Sequence, residues 1–212
     1  MKPQLILLGA PGSGKGTQAG KIVSEFGYGH ISTGDLLRAE VAKGSDLGNK
    51  IKATIDAGSL VDNDTVLELL RINCELDTSA YIFDGYPRNI DQAKALEAVV
   101  LKGVNSTAVY FEIDLEMIVK RVINRRTAPK SGKIYNLLTN PPKVDGICDV
   151  SGEPLVQRKD DNEESVRNRL NIFKNEITPI LDFYKEQGSL VTVDASMPAE
   201  KVFEQVAKAV NK

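Results

Sequence analysis

The chain has 212 residues, 26% charged and 42% hydrophobic, with a formal net charge of −2. That length suits one sizeable domain with small insertions, and it buries a core without covalent staples. The near-neutral balance gives no footing for nucleic acid or an acidic membrane surface as main partner; two distant cysteines, Cys74 and Cys148, make no disulfide framework and point to a reducing compartment.

Lys2 followed by Leu5-Ile6-Leu7-Leu8 faintly suggests a signal peptide, but the apolar run is too short and Pro11, Gly12 and Gly14 follow at once. Residues 4–8 read instead as a strand buried on both faces. A helix follows, with Ile22, Val23 and Phe26 at helical spacing. Residues 32–61 read as two short helices without a strong strand. A helix over about 64–76 leads to a buried strand, Tyr81-Ile82-Phe83, ending at Asp84-Gly85. Then come a helix over 89–102, a strand over 108–113 and a helix over 115–126. Residues 127–161 carry Pro129, Gly132, Pro141, Pro142, Gly146, Gly152 and Pro154, which reads as turns between short strands. A helix over 162–187, a strand over 190–193 and a helix over 198–211 complete the chain. Strands alternating with helices predict an α/β fold on a parallel sheet, with 32–61 and 127–161 as insertions. No stretch approaches the roughly 20 apolar residues of a membrane-spanning helix. The expected location is the cytosol or an equivalent reducing lumen.

Gly9-Ala10-Pro11-Gly12-Ser13-Gly14-Lys15-Gly16-Thr17 follows a strand and opens a helix, the context of a P-loop. Glycines let backbone N–H groups converge on phosphate oxygens. The helix aims its positive end at the same oxygens, and Lys15 adds a mobile charge. Gly16, not Ser or Thr, follows the lysine; Thr17 comes one place later. Ile82-Phe83-Asp84-Gly85-Tyr86-Pro87-Arg88 sets a carboxylate at a strand's carboxyl end, where open α/β sheets bind ligands. Asp84 there is a candidate for holding Mg²⁺ through its water shell.

Arg38, Arg88, Arg121, Arg125, Arg126, Arg158, Arg167 and Arg169 are candidates for stabilising charge on a phosphoryl group in flight. Beyond Asp161, Val166, Leu170, Phe173, Ile177, Ile180 and Tyr184 form an apolar stripe. Arg169 flanks that stripe and Arg167 lies further off it, so Arg169 is expected to point inward. Helical phase does not separate Arg121, Arg125 and Arg126.

Together these segments resemble the adenylate kinase family, over essentially the whole chain. The resemblance rests on residues 9–18, Ile31-Ser32-Thr33-Gly34-Asp35-Leu36-Leu37-Arg38, residues 83–88 with Gln92, Arg125-Arg126, and Arg158-Lys159-Asp160-Asp161 through Arg169. The family's loop carries Gly-Lys-Gly-Thr, which accounts for Gly16. The resemblance implies reversible, Mg²⁺-dependent phosphoryl transfer from ATP to AMP, giving two ADP without a phosphoenzyme, by a monomer. It implies a five-stranded parallel sheet in a core of residues 1–31, 62–123 and 162–212. Residues 32–61 would form the AMP-binding domain and 124–161 the lid. By the same carry-over, AMP meets Thr33, Arg38, the backbone of Ser59, Leu60 and Val61, Gly85, Tyr86, Pro87, Arg88 and Gln92. ATP meets Gly12, Ser13, Gly14, Lys15, Gly16, Thr17, Arg125, Ile134, Tyr135 and backbone near Met197. Arg158 and Arg169 reach across from the lid side. A GTP-using AMP kinase or a UMP/CMP kinase is the alternative within the class; a P-loop hydrolase leaves the arginine set unexplained.

AMP's phosphate is already nucleophilic near neutral pH, so no protein base is demanded, and His30 is expected to be structural. Many long lids of the family bind zinc through four cysteines, or three and an aspartate. The corresponding positions here are Ala128, Ser131, Cys148 and Ser151. One thiolate and an alanine build no closed tetrahedral site, so no zinc is expected. Hydrogen bonds and packing should hold the lid, with Cys148 semi-buried near the two serines.

Overall fold

The computed structural model describes residues 2–74 and 79–210. Five parallel strands form the main sheet: β1 (Gln4–Gly9), β2 (Gly29–Ser32), β3 (Tyr81–Asp84), β4 (Ser106–Glu112) and, last in the chain, β7 (Leu190–Asp194). Their order is β2-β3-β1-β4-β7, so the P-loop strand β1 is central. Its register sets Leu7 opposite Asp84 on one side and Val109 on the other. The chain reverses the direction in which it adds strands beside β1, which opens a crevice at the strands' carboxyl ends.

Alternation within β1 separates two cores. Ile6 and Leu8 pack with Phe83, Ala108, Leu96, Ile180 and Tyr184 on one face. Leu5 and Leu7 pack with Ile22, Ile82, Val109, Val202 and Val206 on the other. The second face is covered by α1 (Lys15–Phe26) and α8 (Ala199–Val210). The first is covered by α4 (Asn63–Asn73), α5 (Ile90–Ala95) with its π-helical continuation Leu96–Leu101, and α7 (Glu163–Glu186). A third cluster joins α6 (Leu115–Ile123) to α7 through Ile118, Val122, Val166 and Leu170.

Two helices after β2 form the first insertion: α2 (Thr33–Ala42) and α3 (Asp46–Asp56). Ser32 caps α2 by accepting from the Asp35 N–H, and Ser45 caps α3 by accepting from the Gly48 N–H. Gly48 lets the two helices touch, since a Cβ there would stand 2.6 Å from the Glu40 carbonyl oxygen. The second insertion is a small antiparallel pair, β5 (Arg125–Thr127) and β6 (Ile134–Asn136), followed by turns.

Three sequence expectations need correction. The strand β2 was not read: Gly29-His30-Ile31-Ser32 has one buried residue, at a sheet edge. The helix expected over 115–126 stops at Ile123, and Arg125 and Arg126 stand on β5 instead. The helix expected over 89–102 is α-helical only to Ala95 and π-helical to Leu101. The helix expected over 64–76 runs over Asn63–Asn73, and that over 198–211 runs over Ala199–Val210; residues 75, 76 and 211 lie outside the described residues.

Candidate functional site

The loop between β1 and α1 has three glycines at positive φ: Gly9, Gly12 and Gly14, at 152°, 84° and 102°. A Cβ on Gly12 would lie 2.4 Å from Val122 Cγ2, so the loop rests directly on α6. A Cβ on Gly16 would lie 3.3 Å from Ile134 Cδ1 and 3.6 Å from Asp84 Oδ2. The unexpected glycine therefore lets the second insertion and the end of β3 approach the first turn of α1. Lys15 Nζ donates to the Gly9 and Ala10 carbonyls at 2.8 and 3.0 Å. Burial lowers its pKa from 10.5 to about 8, although the Asp84 charge opposes the shift. Lys15 is thus a buried amine held by two backbone carbonyl oxygens.

Asp84 closes β3 beside that lysine. Burial pushes its pKa up, but the His30 hydrogen bond and the Lys15 charge outweigh burial and leave it lowered, so it is a carboxylate. His30 Nε2 lies 3.5 Å from Asp84 Oδ2. His30 lines the crevice and contacts Asp84 there.

Six arginines line the same crevice: Arg38, Arg88, Arg121, Arg125, Arg158 and Arg169. Arg88 donates from Nε to the Gly85 carbonyl at 2.8 Å. Its pKa is lowered by burial and then by Arg169; that of Arg158 is lowered to about 10 by burial and then by Arg38 and Arg125. Like charges that face one crevice lower one another's pKa and favour an anion between them. Carboxylates fix the arms. Asp161, fully buried, takes Arg125 through two hydrogen bonds, Nε at 2.8 Å and a shorter one from the terminal nitrogen. Asp160 takes Arg169 at 3.0 Å. Asp35 takes Arg38 and stands 3.7 Å from Arg158, so it links the first insertion to the second.

The structure also sorts the arginines that phase left open. Arg125 faces the crevice and Arg126 turns to the carbonyls of Ile123 and Arg125. Arg121 donates to the Ala195 carbonyl at 3.2 Å and lines the crevice beside Ser196 and Met197. Arg169 is 13% exposed and faces inward, while Arg167 is 60% exposed and pairs with Glu163.

Opposite the P-loop, Thr33, Arg38, Ser59, Leu60, Val61, Gly85, Tyr86, Pro87, Arg88 and Gln92 line the other end. Gly85, at φ 83°, leaves no room for a Cβ, which would meet Thr33 Oγ1 at 2.8 Å. Gln92 is 2% exposed. Its Oε1 accepts from the Arg88 N–H at 2.7 Å and its Nε2 donates to Asn63 Oδ1 at 2.7 Å. One N–H and one lone pair remain for a ligand. Tyr86 is 1% exposed, its side chain buried in the core, so only its backbone is offered.

Packing and hydrogen bonds hold the second insertion. Ala128, Tyr135 and Cys148 form its small core with Leu155. Cys148 is fully buried, not semi-buried, with Ser131 Oγ at 3.7 Å and Tyr135 Oη at 3.5 Å. Glu153 is the organiser that sequence reading missed. It accepts from the Lys130 and Ser131 N–H groups at 2.7 and 2.9 Å and from Ser151 Oγ at 2.7 Å. Burial pushes its pKa up, but these donors outweigh burial and hold it at about 2. A methyl, two hydroxyls and one thiol do not fit zinc. Ile134 and Tyr135 line the crevice, yet the Tyr135 hydroxyl turns into the insertion, accepting from the Asp149 N–H at 2.8 Å.

Comparison with known proteins agrees with this architecture. A family model described as adenylate kinase matches residues 7–189. A protein named adenylate kinase from Petrotoga mobilis is 42% identical over 205 residues, covering 96% of this chain and 95% of the relative. One of the same name from Hydrogenobaculum is 42% identical over 205 residues, covering 95% of this chain and 97% of the relative. Another, from Vanderwaltozyma polyspora, is 41% identical over 214 residues, covering 99% of this chain and 96% of the relative. With its parallel sheet, P-loop and arginine-lined crevice, the chain belongs to the adenylate kinase family of phosphotransferase enzymes.

Proposed function

We propose that this enzyme moves the terminal phosphoryl group of ATP directly to AMP, reversibly, giving two ADP. The observation that carries the reading is the convergence of Lys15 with Arg38, Arg88, Arg125, Arg158 and Arg169 on one crevice. Transfer of this kind needs positioning and charge stabilisation more than covalent chemistry. An AMP phosphate oxygen attacks the γ-phosphorus in line as the bond to the β–γ bridging oxygen breaks. No proton need move.

The chain's own groups divide the work. Residues 12–17 receive the donor phosphates, with the ATP base against Arg121, Met197 and the Ala195 region. Thr33, Arg38, the 59–61 backbone, Gly85, Arg88 and Gln92 receive AMP. Arg125, Arg158 and Arg169 with Arg88 stabilise the group in transfer. Residues 32–61 act as the AMP-binding flap and 124–161 as the lid, on a core of 1–31, 62–123 and 162–212; their closure excludes water. The buried, ionised Asp84 and the Thr17 hydroxyl at the loop fit Mg²⁺ held through water. When bound with ATP, the ion screens phosphate charge. The setting is a cytosolic monomer serving adenine nucleotide balance.

The test is ATP consumption with and without acceptor, over ATP and GTP as donors and AMP, UMP and CMP as acceptors. ATP with AMP should be used fastest by far. Release of inorganic phosphate at a rate indifferent to AMP would make the protein a hydrolase.

A further inference from the structure

The AMP flap meets α7 through the turn after α3. Helix α3 ends at Asp56, and the chain turns through Ala57 and Gly58 before running along the crevice as residues 59–61. Asn168 Nδ2 donates to the Ala57 carbonyl at 2.7 Å. Gly58 is buried at φ 71°, and a Cβ there would lie 2.9 Å from the Ser165 carbonyl oxygen and 3.1 Å from Ser165 Oγ. Ser165 is itself fixed: it is 2% exposed, and its N–H donates to the α7 cap, Asn162 Oδ1, at 2.9 Å. The next residue after Asn168 is Arg169, which faces the crevice and donates to that same Ser165 carbonyl at 3.3 Å. One helical turn therefore grips the flap with one residue and aims a transfer-site guanidinium with the next.

From this geometry we infer that Asn168 is a positioning residue for the acceptor nucleotide. It acts through Ala57 and the glycine seat at Gly58, which set the 59–61 backbone at the AMP site. The inference rests on the reading that 59–61 meets AMP. A single hydrogen bond that orders a flap supports an effect of several-fold on acceptor affinity. The donor half of the crevice has no share in this contact, so the effect is one-sided.

Asn168→Asp keeps the shape but cannot donate to a carbonyl. It should raise KM for AMP about fivefold, leaving KM for ATP and kcat at saturating AMP within about twofold. Gly58→Ala lifts the same seat from the flap side and should likewise raise KM for AMP and not KM for ATP; because its Cβ also crowds the Ser165 carbonyl that accepts from Arg169, kcat is read only in Asn168→Asp. Gln92→Ala, run in parallel, reports on the acceptor site itself. If Gln92→Ala raises KM for AMP while neither Asn168→Asp nor Gly58→Ala does, the docking role is overturned and the acceptor site stands. If none of the three changes KM for AMP, the acceptor reading falls and takes the docking role with it. Equal rises in both KM values alongside a drop in melting temperature would make the contact merely structural, which also overturns the inference.

Discussion

Asp161→Asn is the sharpest probe of how the arginine cluster is held. Asp161 is fully buried and forms a two-pronged bridge to Arg125, with Arg169 3.8 Å away. Asparagine preserves the volume but sets one N–H₂ group against the guanidinium, donor facing donor, and removes the only fully buried negative charge in the pair. Breaking a buried ion pair from one side costs about 3–5 kcal/mol. Arg125 is 17% exposed and regains some water, so the lower end, about 3 kcal/mol, is expected. For a chain of this length that corresponds to a melting temperature lower by about 6–12 °C. Arg125 would also lose its aim, and displacement of a positioning group by about 1 Å costs on the order of 100-fold in rate. The variant should therefore lose kcat far more than it raises either KM. Thermal unfolding and steady-state kinetics in both directions measure the two effects. A melting temperature within about 2 °C of wild type together with kcat within about threefold would refute the claim that Asp161 holds Arg125 for transfer.

Lys15→Met should abolish most activity without lowering the stability of the ligand-free protein. Burial depresses the lysine from 10.5 to about 8, a penalty of roughly 3 kcal/mol on its charge, offset by partial solvation and by the two carbonyl hydrogen bonds that methionine loses. A net gain of about 1 kcal/mol is expected below about pH 8; it shrinks as pH rises toward the unfolded value, because the wild-type lysine then sheds its proton on folding. Chemical denaturation at pH 7 and pH 10 checks the sign, and a loss of several kcal/mol at pH 7 would contradict it. Glu153→Gln should loosen the second insertion selectively, read as faster proteolysis within 124–161 at unchanged core stability. In the wild type the lowered carboxyl of Glu153 contributes fully above the unfolded carboxylate range and loses its contribution as pH falls toward about 2. A second insertion equally resistant in Gln and wild-type protein would remove Glu153 from its assigned place.

The parts legible in sequence were those with local signals. The strand-loop-helix of the P-loop, the apolar runs of β1, β3, β4 and β7, and the inward phase of Arg169 all follow from spacing alone. Strand β2 was not legible because its four residues carry little apolar content and its pairing partner lies about 50 residues away. Arg125 and Arg126 could not be separated because a helical frame was applied where the chain is extended; on a strand, neighbours face opposite ways. Glu153 and Asn168 were invisible for a different reason. Each acts through backbone groups distant in sequence, and a carboxylate or amide on an unremarkable stretch gives no sign of that. Gly16 lies between these cases: the resemblance accounted for it, but only the structure relates it to Ile134 and Asp84.

The most direct test supplies Mg²⁺ and ADP alone and follows all three adenine nucleotides. ATP and AMP should form in equal amounts, with no release of inorganic phosphate, until equilibrium is reached. No product, or AMP with free phosphate and no ATP, would contradict direct transfer between two nucleotides in this crevice.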